Sequence, residues 1–208
     1  MDQTRVTAIL DLLKKQYPEA KCALEHQNVF QLLVSTMLSA QTTDKRVNMV
    51  APTLYQAYPD AEALSRAKPE EVAEYIRSIG IYRNKSKNIV NMAKALTERF
   101  GGEVPDTQDD LESLPGVGRK TANVVLADGF GKQRIAVDTH VFRVSNRIGL
   151  AKADTVEKTE KQLMETLPEN RWTEAHHLLI FHGRNCCSAR NPNCDGCPIA
   201  ALCEKNGL

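Results

Sequence analysis

The fold of this chain is decided by the stretch Leu114-Pro115-Gly116-Val117-Gly118-Arg119-Lys120-Thr121-Ala122. One apolar-patterned helix precedes this stretch, and another follows it over residues 122–126. Two glycines separated by one residue allow a tight turn and a close approach of the backbone. The N–H groups that open the second helix then point outward, at the positive end of its dipole. The pattern predicts a helix-hairpin-helix motif.

A phosphate oxygen fits at the start of the second helix of such a hairpin. Because backbone N–H groups would make the contact, it would position the protein on DNA without reading a base sequence. Arg119 and Lys120 add positive charge at the same place. An ordinary tight turn between packed helices is the alternative. We favour a phosphate site, for which the expected contacts are Pro115, Gly116, Val117, Gly118 and Arg119.

The rest of the chain shows helical periodicity. Apolar residues share one helical face in three segments, namely Val6, Ile9, Leu10 and Leu13; Ile89, Met92, Ala93 and Leu96; and Val141, Val144 and Ile148. Only Ile135-Ala136-Val137 is strand-like, and it is too short to seed a sheet. The chain has 208 residues, 42% of them hydrophobic, and no uninterrupted apolar run of about 20 residues. We therefore expect an all-α globular protein that does not span a membrane.

The formal net charge of +1 does not by itself indicate a nucleic-acid binder. The distribution of charge is more informative than its sum. Between residues 111 and 150 the basic side chains outnumber the acidic ones by three, with Arg119, Lys120, Lys132, Arg134, Arg143 and Arg147 against Glu112, Asp128 and Asp138. The hairpin therefore lies in a locally basic part of the chain.

Four of the six cysteines stand close together near the C-terminus, in the spacing C-x6-C-x2-C-x5-C, at Cys187, Cys194, Cys197 and Cys203. Cys22 and Cys186 lie outside the pattern. Three disulfides are conceivable, but a chain of this length can build a core without them. The N-terminus is charged and amphipathic and does not resemble a secretory signal, so we expect an intracellular protein with reduced thiols.

Reduced thiols in a cluster indicate a metal. Structural zinc usually takes two C-x2-C pairs, whereas only Cys194 and Cys197 have that spacing here. The wider spacing of the outer two cysteines suits a loop around a group larger than a single ion, such as an iron–sulfur cluster, in which each thiolate binds one iron. We favour the cluster over zinc, and four unrelated buried cysteines are the third interpretation.

Lys120 is an unusual residue at a helix start, because a cation there opposes the helix dipole. Partial burial would disfavour its charged form further. A neutral amine is a nucleophile toward an electrophilic carbon and forms a Schiff base with an aldehyde. A solvated lysine that contacts phosphate is the alternative, and the sequence leaves both open.

Asp138 or Thr139 is well placed as the N-cap of the helix that follows. Capping alone would explain the aspartate. A carboxylate held ionised by helix N–H groups can also stabilise a developing cation or accept a proton. His140 could contact phosphate, although a lone histidine in a helix is more often structural. We assign no ligand role to His176, His177 or His182.

Four segments, in their order along the chain, closely resemble the endonuclease III family: residues 38–44, the hairpin 114–122, residues 137–140 and the cysteine loop 187–203. The resemblance implies a bifunctional DNA glycosylase with AP-lyase activity. Such an enzyme removes oxidised pyrimidines from double-stranded DNA and cleaves at the abasic site by β-elimination through a lysine Schiff base. It implies no membrane partner, a monomer, and a cytoplasmic location that is nucleoid-associated in a bacterium.

The resemblance also implies a fold of two helical domains that flank a DNA-binding groove. Residues 22–131 would form a six-helix domain with the hairpin. Residues 1–21 and 132–208 would form the other domain, with a [4Fe-4S] cluster held by Cys187, Cys194, Cys197 and Cys203. Cys186 stays outside this set.

Position by position, the resemblance makes Lys120 the nucleophile and Asp138 the catalytic aspartate. Gln41 matches a residue that fills the gap left by a flipped nucleotide, and Ile81 stands where a leucine wedge is usual. Both roles make physical sense, because chemistry at the sugar of a stacked base requires the nucleotide to leave the duplex. Gln41 could instead be a helix C-terminal residue, and Ile81 a core contact.

His140, Arg143 and Arg190 complete the expected DNA contacts. The family commonly has several basic residues between its first two cluster cysteines, whereas this chain has only Arg190 there. We therefore expect the loop to bind phosphate weakly. A monofunctional or mismatch-directed glycosylase on the same fold is the second interpretation. A non-catalytic hairpin module is the third, and the pair Lys120 and Asp138 argues against it.

Overall fold

The computed structural model describes residues 2–208, and no β-strand occurs in that range. Its α-helices are α1 Gln3–Gln16, α2 Val29–Ser39, α3 Asp44–Ala57, α4 Ala61–Ser65, α5 Pro69–Tyr75, α6 Tyr82–Phe100, α7 Gln108–Glu112, α8 Arg119–Val124, α9 Thr139–Ile148, α10 Val156–Thr166 and α11 Trp172–Asn185. A π-helical turn, Val125–Gly129, continues α8. The all-α prediction is confirmed. No helix within residues 2–208 has both the length and the apolar character that a membrane crossing requires.

The chain divides into two compact units. One unit is continuous and runs over Ala23–Gly131. The other combines the chain up to Cys22 with Lys132–Leu208. The expected ranges were 22–131 for the continuous domain and 1–21 with 132–208 for the other, so the bounds differ by one residue at Cys22.

The core of the continuous unit is built around α2 and α6. Every side chain from Phe30 to Leu38 is buried, so α2 is the central helix of this unit. Helix α6 packs against α4 and α5. It buries Ile89, Met92, Ala93 and Leu96, the face that the periodicity predicted. Ile89, Met92 and Leu96 each contribute about 1.5–3 kcal/mol relative to exposure, and Ala93 contributes less.

The core of the second unit joins α1 to α9 and α11. Helix α1 buries Val6, Ile9, Leu10 and Leu13, and α9 buries Val141, Val144 and Ile148, as expected from the sequence. Cys187 and Ile199, at the two sides of the cysteine loop, belong to the same core cluster. The loop is therefore packed into the core of this unit.

Arg5 fastens the N-terminal helix to the C-terminal end of the chain. Its guanidinium donates to the carbonyl oxygens of Ile148, at 2.6 Å, and Leu202, at 2.7 Å. It also meets the Glu204 carboxylate at 3.5 Å. These contacts bring α1, the end of α9 and the last cysteine of the loop into one part of the unit.

Candidate catalytic and metal sites

The hairpin predicted from residues 114–122 is present between α7 and α8. Leu114 and Val117 are buried and anchor it, and the Val117 N–H donates to the Leu114 carbonyl oxygen at 3.1 Å. Gly116 has a φ of 75°, the left-handed region that favours glycine. A Cβ at Gly116 would lie 2.9 Å from the Asn88 Cβ of α6. The turn therefore needs glycine at this position for its conformation and for its packing.

Gly118 has a different environment from Gly116. It is the N-cap of α8 in an extended conformation, with a φ of −103°, and no side chain caps the helix there. A Cβ at Gly118 would meet no atom within 4 Å. The fold itself therefore does not require glycine at the N-cap of α8, where the first N–H groups of the helix face outward.

Lys120 is the second residue of α8, beside the hairpin. Its side chain is exposed, so the partial burial considered from the sequence is wrong. The reason is the orientation of the helix, because the buried face of α8 begins at Ala122. Arg119 is also exposed, and its guanidinium meets the Glu112 carboxylate across the hairpin at 3.8 Å.

Asp138 is the N-cap of α9, which decides between the two capping candidates of the sequence. Its Oδ1 accepts hydrogen bonds from the N–H groups of His140 and Val141, both at 2.8 Å. The negative charge is thereby fixed at the positive end of the helix dipole. Both capping bonds go to Oδ1, so Oδ2 is the oxygen that can contact another group.

Arg143 fastens α9 to the end of α11 and to the start of the cysteine loop. Its guanidinium donates to the Gly183 carbonyl oxygen at 2.9 Å, to the Cys187 carbonyl oxygen at 3.0 Å, and to His140 Nδ1 at 3.2 Å. A guanidinium can only donate, so Nδ1 is the acceptor in this contact. In the structure, Arg143 therefore joins parts of the protein to one another. Its contact with DNA stays a prediction.

Gln41 and Ile81 share an unusual backbone conformation, with φ values of 55° and 58°. Positive φ is uncommon for any residue except glycine and is an outlier for a β-branched one. It costs about 1–3 kcal/mol at each position. Ile81 is 51% exposed, which excludes the core contact that the sequence left open. Gln41 is also exposed and lies one residue beyond Ala40, the C-cap of α2.

The four cysteines of the predicted metal site line one partly open cavity. All six cysteines of the chain are free thiols. Burial raises the pKa of the Cys203 thiol, so a thiolate there needs a positive partner. A cubic cluster places its ligands around a cavity, one thiolate for each iron. The donor set and the cavity therefore fit a [4Fe-4S] cluster.

Arg147 and His182 support this loop, and sequence reasoning assigned neither of them. Arg147 donates to Ser188 O at 2.6 Å and Ala189 O at 2.8 Å, and to Cys187 Sγ at 3.5 Å. The sequence could have indicated this contact, because Arg147 lies four residues after Arg143 and residues four apart share a helix face. Such contacts orient ligands and modulate the charge on sulfur.

His182 is buried between Tyr17 and Cys197. The Tyr17 hydroxyl lies 3.2 Å from Nδ1, and Nε2 lies 3.6 Å from Cys197 Sγ. Burial lowers the pKa of His182 to about 4, so the ring is neutral near pH 7. Burial also raises the pKa of Tyr17 to about 12, so the phenol keeps its proton. Tyr17 can then donate to Nδ1 while the Nε2 proton points at the sulfur.

Cys186 lies in the same cavity although it is outside the predicted ligand set. Its Sγ, the nearest ring nitrogen of His182 and Cys197 Sγ all lie within 4.8 Å of one another. These three donors could hold a small ion, but the group omits Cys187, Cys194 and Cys203. The full cavity includes every cysteine of the predicted set, and it fits the larger cofactor better.

Sequence profiles of two families match the chain. Residues 34–169 match the profile of the HhH-GPD superfamily base excision DNA repair proteins. Residues 187–203 match the profile of the iron–sulfur binding domain of endonuclease III. The first match includes the hairpin, Lys120 and Asp138, and the second has the first and last cysteines of the predicted set at its ends.

Individual relatives match over nearly the whole length. The chain is 50% identical to the endonuclease III of Synechocystis over 200 residues, which cover 96% of this chain and 91% of that protein. It is 49% identical to the endonuclease III of Bacillus subtilis over 197 residues, 94% and 90% of the two chains. A solved structure of a trapped endonuclease III–DNA covalent intermediate is similar, with a TM-score of 0.93 and 44% identity. That match covers 99% of this chain and 97% of the other.

Proposed function

The chain belongs to the endonuclease III family, and from this premise we propose that Lys120 and Asp138 carry out its reaction on DNA. The protein is a bifunctional base-excision DNA glycosylase and AP lyase. It acts on double-stranded DNA and carries a [4Fe-4S] cluster. The match of its cysteine loop to an iron–sulfur domain decides between the cluster and zinc in favour of the cluster.

Lys120 is the proposed nucleophile. Its neutral amine attacks the anomeric carbon of the damaged nucleotide, and the bond from that carbon to the base breaks. The sugar ring then opens and leaves a protonated Schiff base between Nζ and the former anomeric carbon. This imine acidifies the neighbouring 2′ protons, so removal of one of them expels the 3′ phosphate and nicks the strand.

The trapped covalent intermediate with DNA, solved for a relative that is 44% identical, is the observation that carries this assignment. A covalent link to DNA needs a nucleophile on the protein. Lys120 supplies an exposed amine beside the hairpin, at the start of α8. The same observation disfavours a monofunctional glycosylase and a non-catalytic binding module for this chain.

Asp138 is the proposed supporting carboxylate. Two helix N–H groups hold Oδ1, which keeps the carboxylate oriented. Oδ2 can then accept a proton from the Lys120 nitrogen once that nitrogen has bonded to the sugar carbon, or stabilise the positive charge that develops on the sugar. Lys120 belongs to the continuous unit and Asp138 to the other.

The hairpin is the proposed phosphate contact, through the backbone of residues 115–118 and the side chain of Arg119. The open space at Gly118 supports this role, because glycine there serves no internal packing. His140 and Arg190 are proposed as further contacts, and Arg190 is exposed on the cysteine loop. Gln41 and Ile81 are proposed to enter the duplex when a nucleotide is flipped out, since both are exposed.

Cys187, Cys194, Cys197 and Cys203 would hold the cluster, which supplies iron–thiolate bonds that close the loop into one shape. The remaining residues of the loop then have a fixed position for contact with DNA. We propose oxidised pyrimidines as the lesions and the bacterial cytoplasm, at the nucleoid, as the place of action. The bacterial sources of the relatives support the location.

Borohydride trapping on duplex DNA with an abasic site tests the proposed chemistry. The wild-type protein should give a covalent adduct, because borohydride reduces a Schiff base to a stable amine. Lys120→Gln keeps a polar side chain of similar length but removes the amine, so the adduct and strand nicking should disappear while duplex binding persists. Lys94→Gln, at an exposed position of α6, is the matched control and should trap normally. An adduct with Lys120→Gln would exclude this lysine as the nucleophile.

A further inference from the structure

Lys85 is a buried lysine that the reaction described above does not use. It lies in the first turn of α6 and is only 7% exposed. Its ammonium donates to Leu38 O at 2.7 Å, to Ala40 O, and to Thr42 Oγ1 at 3.1 Å. An ammonium has three N–H groups, and each of them finds an oxygen here. No carboxylate within residues 2–208 pairs with it, and burial lowers the pKa of Lys85.

The three oxygens lie on both sides of Gln41. Leu38 and Ala40 belong to the last turn and the C-cap of α2, where carbonyl oxygens lack partners within the helix. A cation is favourable at this negative end of the helix dipole. Thr42 is the residue after Gln41. One ammonium thus holds the chain before and after a residue whose φ is 55°.

The backbone of Lys85 holds the second unusual residue. Its N–H donates to the Ile81 carbonyl oxygen at 3.1 Å, one turn earlier. Ile81 has a φ of 58° and directly precedes α6. The two segments are also neighbours, because a Cβ on Gly80 would lie 3.6 Å from the Gln41 carbonyl oxygen. The Lys85 side chain therefore holds the segment around Gln41, and Ile81, forty positions later in the sequence, lies next to that segment.

We propose that Lys85 is a positioning residue for lesion capture. It holds Gln41 and Ile81 in the conformation in which they enter the duplex, before DNA binds. The inference rests on the roles proposed above for those two residues. Strained backbone persists only where the surroundings determine it, and such strain is typical of functional sites. Ordering the two segments in advance removes an entropy cost that would otherwise arise during binding. The backbone bond from Lys85 to Ile81 is one that any residue at this position of α6 would make, so the lysine side chain acts on Ile81 through Gln41, whose carbonyl oxygen lies beside Gly80.

A double-mutant cycle separates positioning from simple stabilisation. Lys85→Met keeps the apolar stem and removes the three hydrogen bonds. Single-turnover excision of an oxidised pyrimidine from a duplex should fall roughly tenfold or more, because Gln41 and Ile81 lose their preset conformation. The same substitution in the Gln41→Ala, Ile81→Ala background should have little further effect, since the side chains that Lys85 positions are gone. Binding of the Lys85→Met protein to undamaged duplex should match wild type, because the Lys85 side chain is buried.

An equal loss from Lys85→Met in both backgrounds would overturn the inference, because the lysine would then act through the fold. The inference also fails if the Gln41→Ala, Ile81→Ala protein excises normally. Thermal unfolding checks each variant, and Thr42→Val, which removes one acceptor, replaces Lys85→Met in the cycle if that protein does not fold. Borohydride trapping on a preformed abasic site reports the Lys120 chemistry separately. Normal trapping with an additive cycle would therefore reject the role of Lys85 and leave the proposed reaction intact.

Discussion

Asp138 is the single residue whose two possible roles are hardest to separate by inspection. Its Oδ1 accounts fully for a cap, with two bonds of 2.8 Å to the first N–H groups of α9. A cap alone contributes about 1 kcal/mol to stability. The catalytic role needs the charge, whereas the cap needs only an oxygen of the right geometry. A substitution that keeps the oxygen and removes the charge can therefore distinguish them.

Asp138→Asn is that substitution. The amide oxygen can still accept both N–H bonds, so α9 should remain capped and thermal stability should change little. Release of an oxidised pyrimidine should slow by roughly 10²-fold or more, because the negative charge that supports the nucleophile is lost. Single-turnover excision measures this step. Borohydride trapping on a preformed abasic site should suffer less, since no base has to leave. Full activity of the variant in both assays would make Asp138 only a cap.

The hairpin shows how two glycines of one element serve different purposes. Gly116 is required by the protein, because its φ is 75° and a side chain would run into Asn88. Gly118 has an ordinary backbone conformation and open space around it. From the sequence alone, both glycines are expected phosphate contacts, and nothing in it distinguishes the effect of replacing one by alanine from the effect of replacing the other. The structure predicts that they separate.

Gly116→Ala should lower the free energy of unfolding by about 1–3 kcal/mol, through strain and the contact with Asn88. Gly118→Ala should leave stability within about 0.5 kcal/mol of wild type. It should nevertheless weaken binding to damaged and undamaged duplex alike, because a phosphate contact is common to both. Thermal melts and duplex titrations measure the two effects. A binding loss confined to lesion-bearing DNA would contradict the phosphate role of Gly118.

Residues 2–208 form two compact units, each with its own core. The cysteine loop belongs to the core of only one unit, through Cys187 and Ile199. The hairpin and α6 belong to the other unit. Loss of the cluster should therefore loosen one unit before the other, since cooperative units can open separately.

Cys197→Ser and Cys186→Ser test this division together with the ligand set. Cys197→Ser should lose the visible absorption and iron of the cluster, whereas Cys186→Ser should keep both. In hydrogen exchange, Cys197→Ser should deprotect α9 and α11 while α2 and α6 remain protected. Loss of the cluster in Cys186→Ser would show that the ligands are misassigned. Uniform deprotection in Cys197→Ser would show that the two units unfold as one.

Much of the fold was predictable because its signals are local. The spacing of Val6, Ile9, Leu10 and Leu13 identifies a buried helix face, since helical geometry repeats every 3.6 residues. The hairpin glycines and the cysteine spacing are likewise patterns of neighbouring residues. The capping position of Asp138 also follows from a few residues, although only the structure chose it over Thr139.

The sequence by itself therefore determined the helices, the hairpin, the cysteine set and, through its resemblance to a family, the reaction. Only the tertiary structure decided that Lys120 is exposed, that Lys85 is buried against Leu38, and that Arg147 turns toward the cysteine loop. Such facts depend on which helix faces meet after packing. The sequence does not show which residue a lysine or arginine on an amphipathic helix will contact. Local sterics and periodicity act over a few residues, whereas these contacts join segments about forty residues apart.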